Sequence, residues 1–176
     1  MRVIAGTARG RKLVAPHGNT VRPTADRVRQ ATFNALESRG AITDARVLDL
    51  FAGSGALGIE ALSRGAAHCT FVEKDRSAVE AVNRNLETLG FTARATVVPA
   101  EVSRFLRTPV RNVDLVLADP PYTFVGWDDI LPALKMVALV MLETAGPIAT
   151  VGWEILRQQR YGGTVVTLAT PQENSV

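Results

Sequence analysis

The middle of the chain alternates short apolar runs with segments that repeat their apolar positions at helical spacing. We predict strands in the apolar runs RVLDLF (46–51), HCTFVE (68–73), ARATVVP (93–99) and VDLVLA (113–118). Helices are predicted from Gly55 to Arg64, between an Asp75 cap and Gly90 just beyond the end, and over residues 102–106. Because single helices separate the strands, right-handed crossovers and a parallel, doubly wound sheet follow.

The two ends of the chain carry different patterns. Residues 2–15 contain two β-leaning pieces joined by TARG, which predict a hairpin, and we expect a helix from Pro23 that closes at Gly40. Near the other end we predict a helix over residues 127–143 and a strand in PIATVGW (147–153). The segment RYGGTVVTLAT then contains a Gly-Gly turn, which is typical of a closing antiparallel hairpin strand.

These elements predict an α/β fold. The expected architecture is a Rossmann-like, doubly wound sheet, mostly parallel, with a C-terminal antiparallel hairpin strand and a small N-terminal hairpin and helix extension. With 176 residues, 47% of them hydrophobic, the chain can bury one sizeable core. We divide it into an extension formed by residues 1–40 and a domain formed by residues 41–176.

Charge is distributed unevenly along the chain. The net charge is +3, yet residues 1–40 hold eight basic and two acidic side chains, so the remainder is acidic overall. A basic segment on a mildly acidic body favours a polyanionic partner that is reached through the N-terminus.

Other features argue against several classes of protein. Cys69 is the single cysteine, which excludes a disulfide framework and a cysteine-based zinc site, and we expect no metal. No apolar segment of a secretory signal is visible at the start. The most apolar window, residues 134–142, contains Lys135 and is too short to span a membrane. We therefore expect a cytoplasmic protein that makes no membrane contact. We also expect a monomer.

A glycine-rich loop follows the first predicted strand. Gly53, Gly55 and Gly58 spell GxGxxG between a strand and a helix, a pattern that binds dinucleotides. Asp49, however, would bring a carboxylate to the pocket, where an ammonium or sulfonium suits it better than a pyrophosphate. Glu73 ends the next strand where a ribose-binding acid is expected, and it would serve nicotinamide and adenosyl cofactors equally.

The motifs together are similar to those of a known family. DLFAGSGALGIEALSRGA, followed by FVEKD, looks like the first two motifs of class I S-adenosylmethionine-dependent methyltransferases. With GRKL, RPTADRVRQATFNAL and ADPPY added, nearly the whole chain resembles the bacterial family that methylates the exocyclic N2 of a guanine in 16S ribosomal RNA. The resemblance implies a methyltransferase sheet, S-adenosylmethionine as cofactor, and ribosomal RNA or a small ribosomal subunit assembly intermediate as partner.

The resemblance also implies roles for individual residues. The methionine part of the cofactor would be held by Asp49, Phe51, Ala52, Gly53, Ser54 and Gly55. Glu73 would bind the ribose hydroxyls, Lys74 would flank the adenine, and Glu101 would lie near its amino edge. The chain departs from the family pattern in two places: it has PAEV where a Gly-Asp-Ala turn is usual, and it is shorter between PIATV and RYGG.

The ADPPY turn suits chemistry on an amine. Two prolines stiffen the chain where it leaves the sheet. An exocyclic amine on a base is a poor nucleophile because its lone pair is delocalised into the ring, and two acceptors on its hydrogens would localise that pair. Asp119 and the carbonyl of Pro120 can supply them, and Asp119 can also take the proton. Pro121 completes the turn, and Tyr122 offers a ring face for the base.

Two alternatives remain at this point. Amino methyltransferases of DNA adenine or of a protein glutamine share the D/N-PPY turn, and an NAD-dependent oxidoreductase could use the same GxGxxG. The basic extension favours RNA. Its candidate RNA contacts are Arg22 and Arg27, beside RPT, ahead of Arg9, Arg11 and Lys12.

Overall fold

The chain folds around one mixed β-sheet. The computed structural model describes residues 1–16 and 23–172. In those residues seven strands form one sheet: β1 (Arg46–Leu50), β2 (His68–Glu73), β3 (Ala95–Pro99), β4 (Leu115–Ala118), β5 (Leu139–Thr144), β6 (Trp153–Tyr161) and β7 (Thr164–Pro171). The order across the sheet is β3-β2-β1-β4-β5-β7-β6, and β7 runs antiparallel to β5 and β6. The prediction of a mostly parallel sheet with an antiparallel C-terminal hairpin is confirmed.

Helices connect the strands on both faces of the sheet. They are α1 (Pro23–Glu37), α2 (Ala56–Ser63), α3 (Arg76–Leu89), α4 (Val102–Phe105) and α5 (Trp127–Ala133). Asp75 caps α3 by accepting the N–H of Ala78 at 2.8 Å, and Gly90 ends the helix at a φ of 72°. Within the described ranges, none of the helices is long and apolar enough to cross a membrane.

Each face of the sheet carries its own apolar layer. On one face, α1, α2 and α3 pack with the N-terminal segment around residues such as Phe33, Leu62 and Phe71. On the other face, α4 and α5 pack around residues such as Leu48 and Ile130. The central strands are therefore buried on both sides, as parallel strands usually are.

The structure corrects the sequence-based prediction between residues 127 and 153. Helix α5 ends at Ala133, and Leu139–Thr144 forms β5, so the predicted helix over 127–143 is wrong beyond its first turns. The segment 147–152 is a loop, so the predicted strand in PIATVGW is also wrong. The cause is burial: residues 139–142 lie between β4 and β7 with both faces covered, and such a run lacks the alternation that identifies a strand.

The first 16 residues lie against the domain. The hairpin predicted in residues 2–15 is present but short: an antiparallel bridge pairs Arg2 with Lys12, and backbone hydrogen bonds link residues 1–3 with residues 10–13. At the end of α2, the hydroxyl of Ser63 donates to the carbonyl of Ala5 at 2.6 Å and accepts the N–H of Ala8 at 2.9 Å. These contacts fix the N-terminal segment to the C-terminal end of α2.

A second buried contact joins the extension to the domain through Glu60 on α2. This fully buried carboxylate accepts the backbone N–H groups of Ile4 at 2.8 Å and Ala5 at 3.0 Å. Arg64 donates to it at 2.8 Å, and Arg29 of α1 has a guanidinium nitrogen 3.9 Å away. Arg29 belongs to the basic segment by sequence, but it is buried, so it stabilises the fold and is not available to a polyanion.

Helix α2 approaches the sheet closely at Gly58, and this predicts an effect on stability. A Cβ there would lie 2.3 Å from Cε1 of Phe71 and 2.6 Å from Sγ of Cys69, both buried. Gly58→Ala should therefore lower the free energy of unfolding by about 1–3 kcal/mol, measured by urea denaturation. Gly146→Ala is the control, since a Cβ there meets no atom within 4 Å, and it should change that free energy by less than about 0.5 kcal/mol. Equal losses in both variants would contradict the close approach.

Candidate active site

Parallel pairing brings the carboxyl ends of four strands into one row. The aligned residues are Leu50 of β1, Val72 of β2, Ala118 of β4 and Leu142 of β5. The residue that follows each of them is Phe51, Glu73, Asp119 or Glu143, and all four line one cleft of about 1180 Å³. The row therefore brings the glycine loop, the proposed ribose-binding acid and the ADPPY turn together, and adds a further acid from β5.

The carboxylate of Glu73 is held by backbone amides. Its Oε2 accepts the N–H of Gly53 at 2.8 Å, and its Oε1 accepts the N–H groups of Lys74 and Asp75, each at 2.8 Å. A carboxylate has about four acceptor positions, so these bonds orient Glu73 and leave capacity for one more donor. Gly53 is thereby tied to the end of β2.

Asp49 lies beneath the glycine loop, outside the lining of the cleft. It is 1% exposed, and its carboxylate accepts the N–H of Gly58 at 2.9 Å. Burial, opposed by that hydrogen bond and reinforced by the nearby carboxylates of Asp119 and Glu73, raises the pKa of Asp49 to about 8. Three acids therefore share one region, which favours a cation as the occupant of the cleft.

Only some residues of the glycine loop line the cleft. Gly53 lines the cleft, whereas Ala52 is buried, and Gly55 begins α2 at a φ of 80°. The carbonyl of Ser54 accepts from the side-chain amide of Asn85 on α3 at 3.0 Å. Of the loop residues predicted to bind the cofactor, Phe51 and Gly53 reach the cleft, and the other three shape the backbone behind it.

An aromatic contact joins the glycine loop to the turn after β4. Phe51 has a φ of 62°, a region that side chains with a Cβ rarely adopt. Its ring meets that of Phe124 edge-on at 5.0 Å, and Phe124 meets Trp127 of α5 at 5.3 Å. Strained residues of this kind persist only where their surroundings hold them, and here the loop and the turn hold each other.

The ADPPY turn lies along one wall of the cleft. Asp119, Pro120, Pro121 and Tyr122 all line it. Tyr122 is 42% exposed, and its hydroxyl forms a 2.5 Å hydrogen bond with the hydroxyl of Thr164 on β7. The turn is thus fixed on one side by the β7 strand and on the other by the aromatic contact.

The predicted adenine-flanking residues lie at the opposite end of the cleft. Lys74 and Glu101 both line it, and their charged groups are 3.8 Å apart with both side chains largely exposed. An ion pair this exposed contributes little to stability. Both side chains can therefore rearrange around a bound ring.

The basic residues of the extension fall into two groups. Pro16 and Val28 line the cleft, so Arg27, exposed on α1, is near its mouth, and Arg22 lies outside the described residues. Arg9, Arg11 and Lys12 are also exposed, but Arg11 donates to the carbonyl of Thr88 at the far end of α3. Along α3 that end is about 15 Å from Ala78, which lines the cleft, at a rise of about 1.5 Å per residue.

Sequence reasoning missed several residues that line the cleft. They include Glu143 from β5, and Tyr161 and Thr164 from the β6–β7 hairpin. Glu143 was hidden by the helix predicted over residues 127–143. The sequence does hold a signal for Glu143. It follows an apolar run, as Glu73 and Asp119 do.

The burial of Asp49 predicts a pH-dependent stability. With a folded pKa of about 8 against an ordinary value of 3.8, the folded state binds more protons than the unfolded state between these pH values. The free energy of unfolding should then fall as pH rises through this window, by up to about 1.4 kcal/mol per pH unit. Asp49→Asn keeps an oxygen for the Gly58 amide but cannot ionise, so its stability relative to the wild type should increase from pH 5 to pH 8. Urea denaturation at both pH values measures this, and a constant difference would contradict it.

Comparison with known proteins gives consistent matches. The family model described as Conserved hypothetical protein 95 matches residues 1–170. Ribosomal RNA small subunit methyltransferase D of Haemophilus influenzae is 37% identical over 174 residues, covering 92% of this chain and 89% of that protein. The protein of the same description from Escherichia coli K12 is 46% identical over 122 residues, covering 69% of this chain and 60% of that protein.

The solved structures agree with the fold. The Escherichia coli protein yhhF superimposes with a TM-score of 0.85 at 36% identity, over 98% of both chains. The match to the family model extends from the N-terminal segment to β7 and so includes every strand end that lines the cleft. The chain therefore belongs to the Conserved hypothetical protein 95 family and has the Rossmann-like α/β fold of class I methyltransferases.

Proposed function

We propose that this protein transfers a methyl group from S-adenosylmethionine to the exocyclic N2 amine of a guanine in 16S ribosomal RNA. The observation that carries the proposal is one cleft shared by Asp119 of the ADPPY turn and Glu73 beside the glycine loop. Two similar proteins described above are ribosomal RNA small subunit methyltransferases, which supports RNA as the substrate. Free RNA and a partly assembled small ribosomal subunit are both candidate substrates.

The cofactor fits the charges of the cleft. S-adenosylmethionine supplies an electrophilic methyl group on a sulfonium, and it also carries an ammonium. A cation near the buried Asp49 would favour the ionised carboxylate, whose pKa is otherwise raised to about 8. The proposed ligands are Asp49, Phe51, Ala52, Gly53, Ser54 and Gly55 for the methionine part, Glu73 for the ribose, and Lys74 and Glu101 for the adenine. Asp49 and the buried loop residues would act through the loop backbone that they shape.

The turn after β4 is proposed to hold the acceptor amine. Asp119 and the carbonyl of Pro120 would accept its two N–H groups, which localises the nitrogen lone pair toward the methyl donor. Asp119 would then take the proton that the amine releases. Pro121 keeps the turn stiff, and Phe124, tied to Phe51, keeps it at a fixed separation from the glycine loop. Holding two reactants in such a pose can lower a barrier by about 7–11 kcal/mol.

A target base that leaves its stack in the RNA needs another surface on which to stack. The ring of Tyr122 lines the cleft, and its hydroxyl is fixed by Thr164. Stacking of a base on an aromatic ring contributes about 1–3 kcal/mol, comparable with the few kcal/mol needed to unstack that base. Tyr122 is therefore proposed as the platform on which the flipped guanine lies.

The extension is proposed to bind the RNA backbone. We retain the division into an RNA-contacting extension, residues 1–40, and a methyltransferase domain, residues 41–176. Arg27 would contact phosphates beside the target base, because the next residue, Val28, lines the cleft, and the same role is proposed for Arg22 from its place in the sequence beside RPT. Arg9, Arg11 and Lys12 would contact a more distant part of the RNA.

Methyl transfer to RNA from cells that lack this protein tests the proposed reaction. With tritiated S-adenosylmethionine, the wild type should label the RNA, and nucleoside digestion should yield N2-methylguanosine. Asp119→Ala should lower the rate by at least about 100-fold, because it removes an acceptor that touches the amine. Its affinity for S-adenosylhomocysteine, measured by calorimetry, should change little. The exposed Asp129→Ala is the control and should keep the wild-type rate. A large loss of cofactor affinity in Asp119→Ala would count against the assigned role.

The salt dependence of RNA binding tests whether the extension contacts the RNA backbone. Each phosphate contact contributes about 0.7–0.9 to the slope of log affinity against log salt. Replacing Arg22 and Arg27 together by Gln should therefore weaken RNA binding and lower the slope by between about 1 and 2. Arg39→Gln removes an exposed cation beyond the other end of α1 and should leave the slope close to its wild-type value. An unchanged slope in the double variant would mean that these arginines do not reach the backbone.

A further inference from the structure

The acid contributed by β5 has no role in the mechanism described so far. Ala118 of β4 pairs with Leu142 of β5, so the next residues, Asp119 and Glu143, lie side by side at the ends of neighbouring strands. Neighbouring strands are about 4.8 Å apart. Both residues line the cleft. The acceptor site proposed for the amine therefore has a second carboxylate beside it.

The other side of Glu143 is formed by β7. Glu143 pairs with Val166, two residues after Thr164, whose hydroxyl holds Tyr122. The cleft at this point thus combines two neighbouring carboxylates with the ring of Tyr122. A planar ligand that stacks on this ring would present one edge to both acids.

Asp119 alone does not distinguish among the bases. Adenine, cytosine and guanine all carry an exocyclic amine with two N–H groups, and each would satisfy Asp119 and the carbonyl of Pro120. The bases differ at the neighbouring ring nitrogen: guanine carries a hydrogen on N1, whereas adenine N1 and cytosine N3 present lone pairs. A carboxylate at that position attracts guanine and repels the other two.

We propose that Glu143 accepts the N1–H of the target guanine and thereby selects guanine over adenine and cytosine. The inference rests on the proposed function and assigns its base specificity to one residue. A hydrogen bond to a charged group contributes about 1.5–3 kcal/mol, which corresponds to a preference of about 10- to 150-fold.

A substrate series tests this role directly. RNA is prepared with guanine or with 2-aminopurine at the target position; 2-aminopurine keeps the 2-amine but has a lone pair on N1. The wild type should methylate guanine with the higher kcat/KM. Glu143→Gln can donate its amide to that lone pair, so the ratio of kcat/KM for guanine to that for 2-aminopurine should fall by at least about 10-fold. Because the loss of the 6-oxygen affects both enzymes, the change in the ratio reports on N1 alone.

A control variant and the possible results separate the inference from the proposed function. Glu154→Gln makes the same replacement on the exposed edge strand β6 and should keep the wild-type ratio. An unchanged ratio in Glu143→Gln, with lower rates on both bases, would overturn the inference and leave the proposed function standing. A wild type that methylates neither base would overturn both.

A measurement on the wild type alone covers the case in which Glu143→Gln fails to fold. Hypoxanthine and unsubstituted purine at the target position both lack the 2-amine, and only hypoxanthine carries N1–H. RNA with hypoxanthine should inhibit the wild type at a concentration at least about 10-fold lower than RNA with purine. Equal inhibition would overturn the inference.

Discussion

The parallel register of β1, β2, β4 and β5 is the constraint on which the site depends. Because Leu50, Val72, Ala118 and Leu142 are aligned, the residue that follows each of them lies at the same edge of the sheet. Side chains alternate between faces along a strand, so a shift of one residue would turn Asp119 or Glu143 to the opposite face. These strands are buried on both faces, so a shift would also disturb the packing of both apolar layers. The chemistry of the cleft is therefore positioned by the same burial that stabilises the fold.

Two features at this edge of the sheet lower the stability of the fold, and both are explained by the site. Phe51 adopts a left-handed backbone conformation, and Asp49 is a buried acid with a raised pKa beside two more carboxylates. Both features are unfavourable in the protein by itself. Phe51 gains the edge-on contact with Phe124, which joins the glycine loop to the ADPPY turn. Asp49 already accepts the N–H of Gly58, and a cation in the cleft would add a second favourable partner for its ionised form.

Features encoded by neighbouring residues could be predicted from the sequence, whereas those that depend on distant residues could not. The glycine loop, Glu73 and the ADPPY turn each follow a recognisable strand, so their convergence at one edge followed from the topology. Residues 139–142 are apolar on both faces, so local spacing could not separate strand from helix there, and Glu143 was missed with it. The docking of the extension depends on Glu60 and Ser63, which contact residues more than 50 positions earlier in the chain. No local pattern reports such contacts.

The N-terminal segment carries a basic surface and is also tied to the glycine loop by hydrogen bonds. Asn85 on α3 bonds the backbone N–H and carbonyl of Val14 and also the carbonyl of Ser54 in the glycine loop. Pro16 and Val28 then line the same cleft as Glu73. A segment that served only to attract RNA would need charge but no such buried contacts. Because one amide joins the extension to the cofactor loop, the segment proposed to bind RNA and the loop proposed to bind the methyl donor are held in a fixed relation, and the order of either supports the order of the other.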